Sequence, residues 1–499
     1  MNVKPPISVF TVVAAATLAA CSFGPSGTPP AMPSPAHYGA EPQPLQTVVA
    51  DGTAQQFDVG AQPVPQWWRL YRSDALDALV DEGLRNSPTL AAAEHSLSAA
   101  HEQYRAQVGS SLLPTIDAGA QTTRERALGI PEAGPNTVVY RTFVGQIQAQ
   151  YTFDLFGAAR YANASLGARV DQQAFQLEAA RRALAANIVG ATINAAALDQ
   201  QIELTERLVA LADRTASDDE RRSALGSVSQ AQALASRQNA SSLAATLPSL
   251  RQQRMAAVHT LAVLLGRTPD SAPPVPDLAS LTLPEHVPVV VPSDLLRARP
   301  DIQAADAAVK AAAAGVGAAT AQLFPSLSLS ASLGRAGFSW PVALSGAGAI
   351  WSVGAGLTQP IFHGGALLAQ RRAAIDTYNA AVAQYKATVL SAFQNVADSL
   401  ASLDNDAQAL AFAEKASSAA QEGFRQTAAR RRLGAIPPSA EYASEQQYLN
   451  AKLDFVRAAS RRLADTAQLF QAFGQAPAER ASNAPAHDHD VASNDTGAK

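Results

Sequence analysis

The only cysteine of this 499-residue chain, Cys21, directly follows Leu18-Ala19-Ala20. A single thiol cannot close an internal disulfide, so its chemistry is that of a lone nucleophile. In Leu-Ala-Ala-Cys the sulfur can form a thioether with diacylglycerol. The small residues before it let a peptidase reach the bond whose cleavage leaves Cys21 at a new N-terminus. The preceding segment agrees: Lys4 is a short positive region, and Ile7 to Ala20 are an apolar run of about 14 residues, the length of a leader peptide. A permanent membrane-spanning helix needs about 20. The plainer alternative is an ordinary leader with an incidental cysteine. Ser22 stands where aspartate would be the usual signal for inner-membrane retention. Several acyl chains, at roughly 0.8 kcal/mol per buried CH₂, make a stable anchor. Cys21 is therefore expected to carry an N-acyl diacylglycerol lipid.

The other reactive residues do not converge. The eight histidines are dispersed, and no glycine-rich phosphate loop opens a helix. His363 sits beside Gly364-Gly365 at an expected strand-to-helix corner. His487-Asp488-His489 offer weak metal ligation in a tail that reads as solvated. No catalytic site, metal or soluble cofactor is expected. A net charge of −4 leaves no electrostatic footprint for nucleic acid.

Those observations shift attention to the elements, and the chain repeats itself. "SPTLAAAEHSLSAAHEQYRAQVGSSLLPTIDAGA" (87–120) resembles "RPDIQAADAAVKAAAAGVGAATAQLFPSLSLSAS" (299–332). "FDLFGAARYANA" (153–164) resembles "QPIFHGGALLAQ" (359–370), "RRSALGSVS" (221–229) pairs with "ARRRLGAIP" (429–437), and "LLGRTP" (264–269) with "QAFGQAP" (471–477). The separations stay close to about 208 residues, which marks two copies of one unit. Each unit reads as helix, two strands, very long helix, turn, long helix.

The strands show period two. Gln146, Gln148 and Gln150 alternate with Ile147, Ala149 and Tyr151. Ser326 to Ser332 alternate with Leu327, Leu329, Ala331 and Leu333. "WSVGAGLTQPI" (351–361) and, more weakly, "TIDAGAQTT" (115–123) do the same. Segments of about ten alternating residues suit a membrane β-barrel, although a soluble sandwich with half-buried strands shares the pattern. Four strands cannot close a barrel, so a barrel requires an oligomer. From Gly157 to about Arg222, and from Ile361 to Leu433, there is no proline. Helices of that length approach 100 Å at 1.5 Å per residue and need lateral partners. Gly226 and Gly434 sit where a left-handed residue ends a helix. Ser227 or Ser229 can cap the first returning helix, and Pro437-Pro438 suit the start of the second.

"QWWRLYRSDALDALVDEGLRNSPTL" (66–90), "LLRARPDIQAADAAVKAAAAGVGAATAQLFPSLSLSASLG" (295–334) and "QPIFHGGALLAQRRAAIDTYNAAVAQYKATVLSAFQNVADSLASL" (359–403) resemble the outer membrane factor family. With the Leu-Ala-Ala-Cys motif, the likeness narrows to NodT-type outer membrane lipoproteins of resistance-nodulation-division (RND) efflux systems. Arg299-Pro300-Asp301-Ile302 and Gly364-Gly365 are its most specific pieces. The resemblance implies a mixed α+β membrane protein: a homotrimer with a 12-stranded β-barrel, four strands per chain, continuous with a periplasmic α-helical barrel. It implies three partners besides outer membrane lipid: a periplasmic adaptor protein, an inner-membrane RND-type pump, and two further copies of the chain. It implies no enzymatic activity. Small toxic compounds would be conducted to the exterior. Alternatives are an exit duct for type I protein secretion, or a lipid-anchored periplasmic coiled-coil structural protein.

The expected organisation is a leader (1–20), a lipidated tether (21–62), a first repeat (63–283), a second repeat (284–478) and a tail (479–499). Carried onto this chain, the family's adaptor-docking tips fall at Leu225, Gly226 and Ser229, and at Leu433, Gly434 and Ile436. Family members often narrow the periplasmic end with acidic side chains near the second tip. Here that stretch is basic, "RQTAARRRL" (425–433), and the acids Asp218, Asp219 and Glu220 lie at the first tip instead. The repeat offset places them level with residues 426–428, beside Arg430, Arg431 and Arg432. These charges are expected to pair between adjacent hairpins and hold the resting tube shut; a solvated charge run is the competing reading.

Overall fold

The computed structural model describes residues 23–33, 35–39, 44–128 and 137–474. Cys21, the leader and the tail with His487 and His489 lie outside the described residues. The chain forms two compact units, each drawing on both sequence repeats. One holds Pro88–Ala180, Asp301–Ser391 and the described residues up to Pro33. The other holds Arg181–Pro300 and the described residues of Ser34–Ser87 and Ala392–Lys499.

In chain order the elements are β1 (Gln56–Val59), α1 (Asp74–Asn86), α2 (Pro88–Leu112), β2 (Thr115–Leu128), β3 (Thr137–Phe153), α3 (Ala158–Ala224), α4 (Gln230–Ala244), α5 (Thr246–Leu264), β4 (His286–Val289), α6 (Pro292–Ala298), α7 (Pro300–Ala321), β5 (Ser326–Gly337), α8 (Trp340–Leu344), β6 (Ala349–Thr358), α9 (Ala366–Arg432) and α10 (Pro438–Phe473). The two long helices, α3 and α9, each run 67 residues without interruption.

In the first unit β2, β3, β5 and β6 form one antiparallel meander. Its register puts the expected alternation on two faces. Asp117, Gln148 and Ser332 share one row with Ser352, on the polar face. Ala118, Ile147, Leu333 and Trp351 share the next row, on the apolar face. The apolar side chains are open to the surroundings: Ile147 is 54% exposed, Leu333 66% and Trp351 75%. A soluble sandwich would bury that face; here, among the described residues, only α8 packs on it, where Trp340 meets Phe143 and Arg335 reaches the Leu344 carbonyl.

The strand-to-helix corners use left-handed glycine in both copies. Gly157 (φ +82°) precedes α3 and Gly365 (φ +81°) precedes α9, 208 residues later. The segment that begins at Phe23 is packed against the corner. Phe23 donates its N–H to the Tyr161 hydroxyl at 3.0 Å, and its ring meets Phe324 at 4.6 Å and Phe156 at 6.4 Å. Gly24 lies so close to α7 that an added Cβ would stand 3.0 Å from the Ala313 carbonyl oxygen.

The second unit has a conventional core. Trp67, Trp68 and Tyr71 are buried; Trp67 stacks on Phe470 at 5.4 Å, and the Tyr71 hydroxyl donates to the Leu463 carbonyl at 2.8 Å. Two features depart from the sequence expectation. The first returning helix is broken into α4 and α5 at Ala245, because Pro248 lacks an N–H and its ring crowds the carbonyl four residues back. The second, α10, has no such proline past its first turn and runs unbroken for 36 residues. A short parallel pair, β1 with β4, was not anticipated at all.

Candidate functional site

The two hairpin tips are built alike. At the first, the Gly226 N–H donates to the Ser223 carbonyl at 3.0 Å and the Ser227 N–H to the Arg222 carbonyl at 2.8 Å. At the second, Gly434 donates to Arg431 at 2.9 Å and Ala435 to Arg430 at 3.0 Å. This is the Schellman closure, which requires the glycine's positive φ; the values are +72° and +76°. Beyond the glycine and its two chain neighbours, no described heavy atom lies within 4 Å of a Cβ built on either. Conformation, rather than lack of room, demands glycine there. The preceding leucines, Leu225 and Leu433, are 83% and 84% exposed. An exposed leucine followed by a tight turn is thus presented twice, 208 residues apart, with Ser229 beyond one turn and half-buried Ile436 beyond the other.

Of the two serines that fit a cap, Ser229 takes the role, accepting from the Gln232 N–H at 3.2 Å. Ser227 instead donates its hydroxyl to the Arg222 carbonyl at 2.8 Å, closing the preceding helix. The second tip has Pro437 at the cap position and Pro438 at the first helical residue.

Within the chain the acids of the first tip do not meet Arg430, Arg431 and Arg432. Asp219 is buried against α4, accepting from the Ser236 hydroxyl at 2.6 Å, with Arg222 at 3.5 Å. Glu220 pairs with Arg237 at 2.8 Å, and that guanidinium holds its carboxyl below the ordinary value. Asp218 lies 3.7 Å from Arg221 and engages Tyr442 of the other hairpin; burial first, then this contact, push the Tyr442 phenol upward. Arg431 reaches Glu441 on its own hairpin at 3.9 Å. Arg430 and Arg432 are exposed. Antiparallel packing turns Asp219 and Glu220 toward the returning helix of their own hairpin, to Ser236 and Arg237, seventeen residues on.

Residues that sequence reading missed lie deeper in the same unit. Arg462 is 1% exposed and donates to Gln55 Oε1, Thr47 Oγ1 and the carbonyls of Ala50 and Thr53, at 2.9–3.3 Å. It pins the segment around β1 to α10. Near it Asp406 is buried, and its Oδ2 has no donor partner among the described residues. Burial first, then the neighbouring Asp465 carboxylate, push its carboxyl up to about 7, with Arg461 and Arg462 pulling the other way. The folded protein therefore holds a proton that the unfolded chain releases between pH 3.8 and about 7. Stability rises as pH falls through that window, by up to about 1.4 kcal/mol per pH unit. Asp406→Asn is expected to flatten this slope, as read by urea unfolding at pH 5 and pH 8.

Comparison with known proteins places this architecture. The family model described as outer membrane efflux protein matches residues 79–267 and 291–475, one match per repeat. The outer membrane protein OprJ of Pseudomonas aeruginosa is 30% identical over 495 residues, covering 94% of this chain and 96% of that protein. TtgC of Pseudomonas putida, described as a probable efflux pump outer membrane protein, is 29% identical over 472 residues, covering 93% and 94%. Among solved structures, the Campylobacter jejuni CmeC outer membrane channel superimposes with a TM-score of 0.78 at 21% identity, covering 92% of this chain and 96% of that one.

Proposed function

The chain belongs to the outer membrane efflux protein family, and from that premise we propose that it is the outer membrane channel of a tripartite efflux system. It conducts small toxic compounds, drugs or organic solutes among them, from an inner-membrane RND-type pump and a periplasmic adaptor to the exterior. The observation that carries this reading is the four-stranded meander with one polar face and one apolar face that exposes Ile147, Leu333 and Trp351. In lipid, open strand edges are not tolerated, and β2 and β6 are both edges. Three copies, edge to edge, close twelve strands with Gln146, Gln148, Gln150 and the Ser326–Ser332 series toward a wet lumen. Such a duct needs no catalytic group, and its function is not enzymatic. A secreted polypeptide is the second cargo class; the relative described as an efflux pump component favours small compounds.

The lipid anchor on Cys21 fits the same arrangement. Two residues span at most about 7 Å, so a lipid on Cys21 starts close to Phe23. That ring packs on Phe156 and Phe324, at the end of the sheet where the helices join. An acyl group leaving from there enters the inner leaflet. The tips around Leu225-Gly226-Ser229 and Leu433-Gly434-Ile436 are the adaptor-docking surface.

Arg430 and Arg432, without a carboxylate partner among the described residues, are the charges available to narrow the periplasmic mouth once three copies surround it, with Arg431 partly committed to Glu441. Neutralising all three is expected to raise single-channel conductance in a planar bilayer; unchanged conductance removes them from the gate. The function itself is tested by accumulation of a fluorescent efflux substrate in cells lacking the gene. Restored export by the complementing chain supports it, and restoration of protein secretion alone would favour the second cargo class.

A further inference from the structure

The sheet carries a cluster of cations that conduction does not use. The register sets Arg124 of β2 directly opposite Arg141 of β3, with Arg126 two rows further from the helices, opposite Val139. All three point to the apolar face, because two-residue steps along β2 and β3 connect them with Ile116, Ala118 and Ala120 and with Ile147 and Ala149. All three are exposed, and no carboxylate among the described residues pairs with them. Glu125, next to them in sequence, is on the other face and accepts from the Tyr140 hydroxyl. Like charges directly opposite on neighbouring strands destabilise a sheet. Side chains that repel one another, on a face otherwise built for lipid, need an anion.

Their height identifies which one. Ten residues separate Phe153, at the helix-joining end of β3, from Phe143; at about 3.3 Å per residue and a tilt near 40°, that rises roughly 25 Å, the thickness of a barrel's apolar band. Phe143 packs against Trp340 at 4.6 Å, and Trp340 is 59% exposed, as an interfacial aromatic should be. Arg141 lies two residues past Phe143, in the headgroup layer, at the end of the sheet away from the helices. Arg335, on the same face but level with Gly145, has a different duty: it donates to the Leu344 carbonyl at 2.6 Å, fastening α8. Among the described residues the three distal arginines have no such partner. Resting on the reading of this sheet as outer-membrane-spanning, we propose that Arg124, Arg126 and Arg141 bind phosphate groups of outer-leaflet glycolipid. Guanidinium groups take phosphate oxygens in pairs, and three cations suit a headgroup with more than one phosphate.

The test uses the full-length protein, purified in detergent and titrated with a bisphosphorylated acyl-disaccharide, with its dephosphorylated form, and with inorganic phosphate, bound lipid being counted by native mass spectrometry. The bisphosphorylated lipid is expected to bind about tenfold or more tighter than the dephosphorylated one. Arg124→Gln/Arg126→Gln/Arg141→Gln is expected to erase that preference while single-channel conductance stays at the wild-type level. Equal binding of the two lipids by the wild-type protein, or a preference surviving the triple substitution, overturns the proposal. Displacement of the lipid by millimolar inorganic phosphate overturns it too, in favour of a free-anion site. If the triple variant does not assemble, the wild-type contrast between the two lipids decides alone. A wild-type protein that shows the lipid preference but no conductance refutes the channel reading and not the lipid site.

Discussion

Cells complemented with a Gly226→Asp/Gly434→Asp chain are expected to accumulate an efflux dye like cells with no copy, although the protein still assembles in the outer membrane. The argument rests on what each glycine does. Both hold a positive φ that closes a Schellman turn, and beyond its two chain neighbours neither has a described heavy atom within 4 Å of the position a Cβ would take. A side chain therefore meets no clash and projects into the open tip beside Leu225 or Leu433. The left-handed conformation costs an L-residue roughly 1–2 kcal/mol, and aspartate is among the side chains that tolerate it best. Each turn ends a 67-residue helix, so that strain stays local and the fold absorbs it. What changes is the surface: two carboxylates per chain where a partner would grip two bare turns and two leucines. Export by the variant equal to wild type would move adaptor docking away from these tips. Loss of the assembled protein would instead make the glycines purely structural. Wild-type complementation must restore export for either result to be read.

Ile147→Arg is expected to abolish the heat-modifiable outer-membrane form, whereas Gln148→Arg, one residue away, leaves it intact. Ile147 pairs with Ala118 and Leu333 at mid-height of the apolar face. Gln148 pairs with Asp117 and Ser332 on the polar one. An arginine facing lipid at the bilayer midplane costs about 2–4 kcal/mol, and the proposed trimer would incur it three times over. An arginine facing a wet lumen incurs little and is expected to shift the pore toward anions, measurable as a change in reversal potential under a salt gradient. Fractionation and unheated gel migration report the first effect. Equal tolerance of both substitutions would mean that the apolar face does not meet lipid, and the coiled-coil reading would return.

What this chain's sequence determined by itself was whatever depends on neighbours within a few residues. Left-handed glycines announce themselves because other side chains avoid that conformation, and Gly157, Gly226 and Gly266 recur as Gly365, Gly434 and Gly474, 208 residues on. Period-two alternation located all four sheet strands, since successive side chains must face opposite sides of a pleat. Absence of proline left both long helices uninterrupted, whereas the break before Pro248 was not read from the sequence. Tertiary structure decided the rest. Strands β1 and β4 pair across more than two hundred residues, and four residues of strand carry no local sign of a partner so distant. Arg462 reads as a surface cation on α10 until the segment from Thr47 to Gln55 folds over it. Asp219 and Glu220 turned to Ser236 and Arg237 rather than to the second hairpin, because the azimuth of a residue on a long helix is set by which neighbour packs against it. The level of a group along this protein was written in its sequence; the direction it faces was settled only by packing.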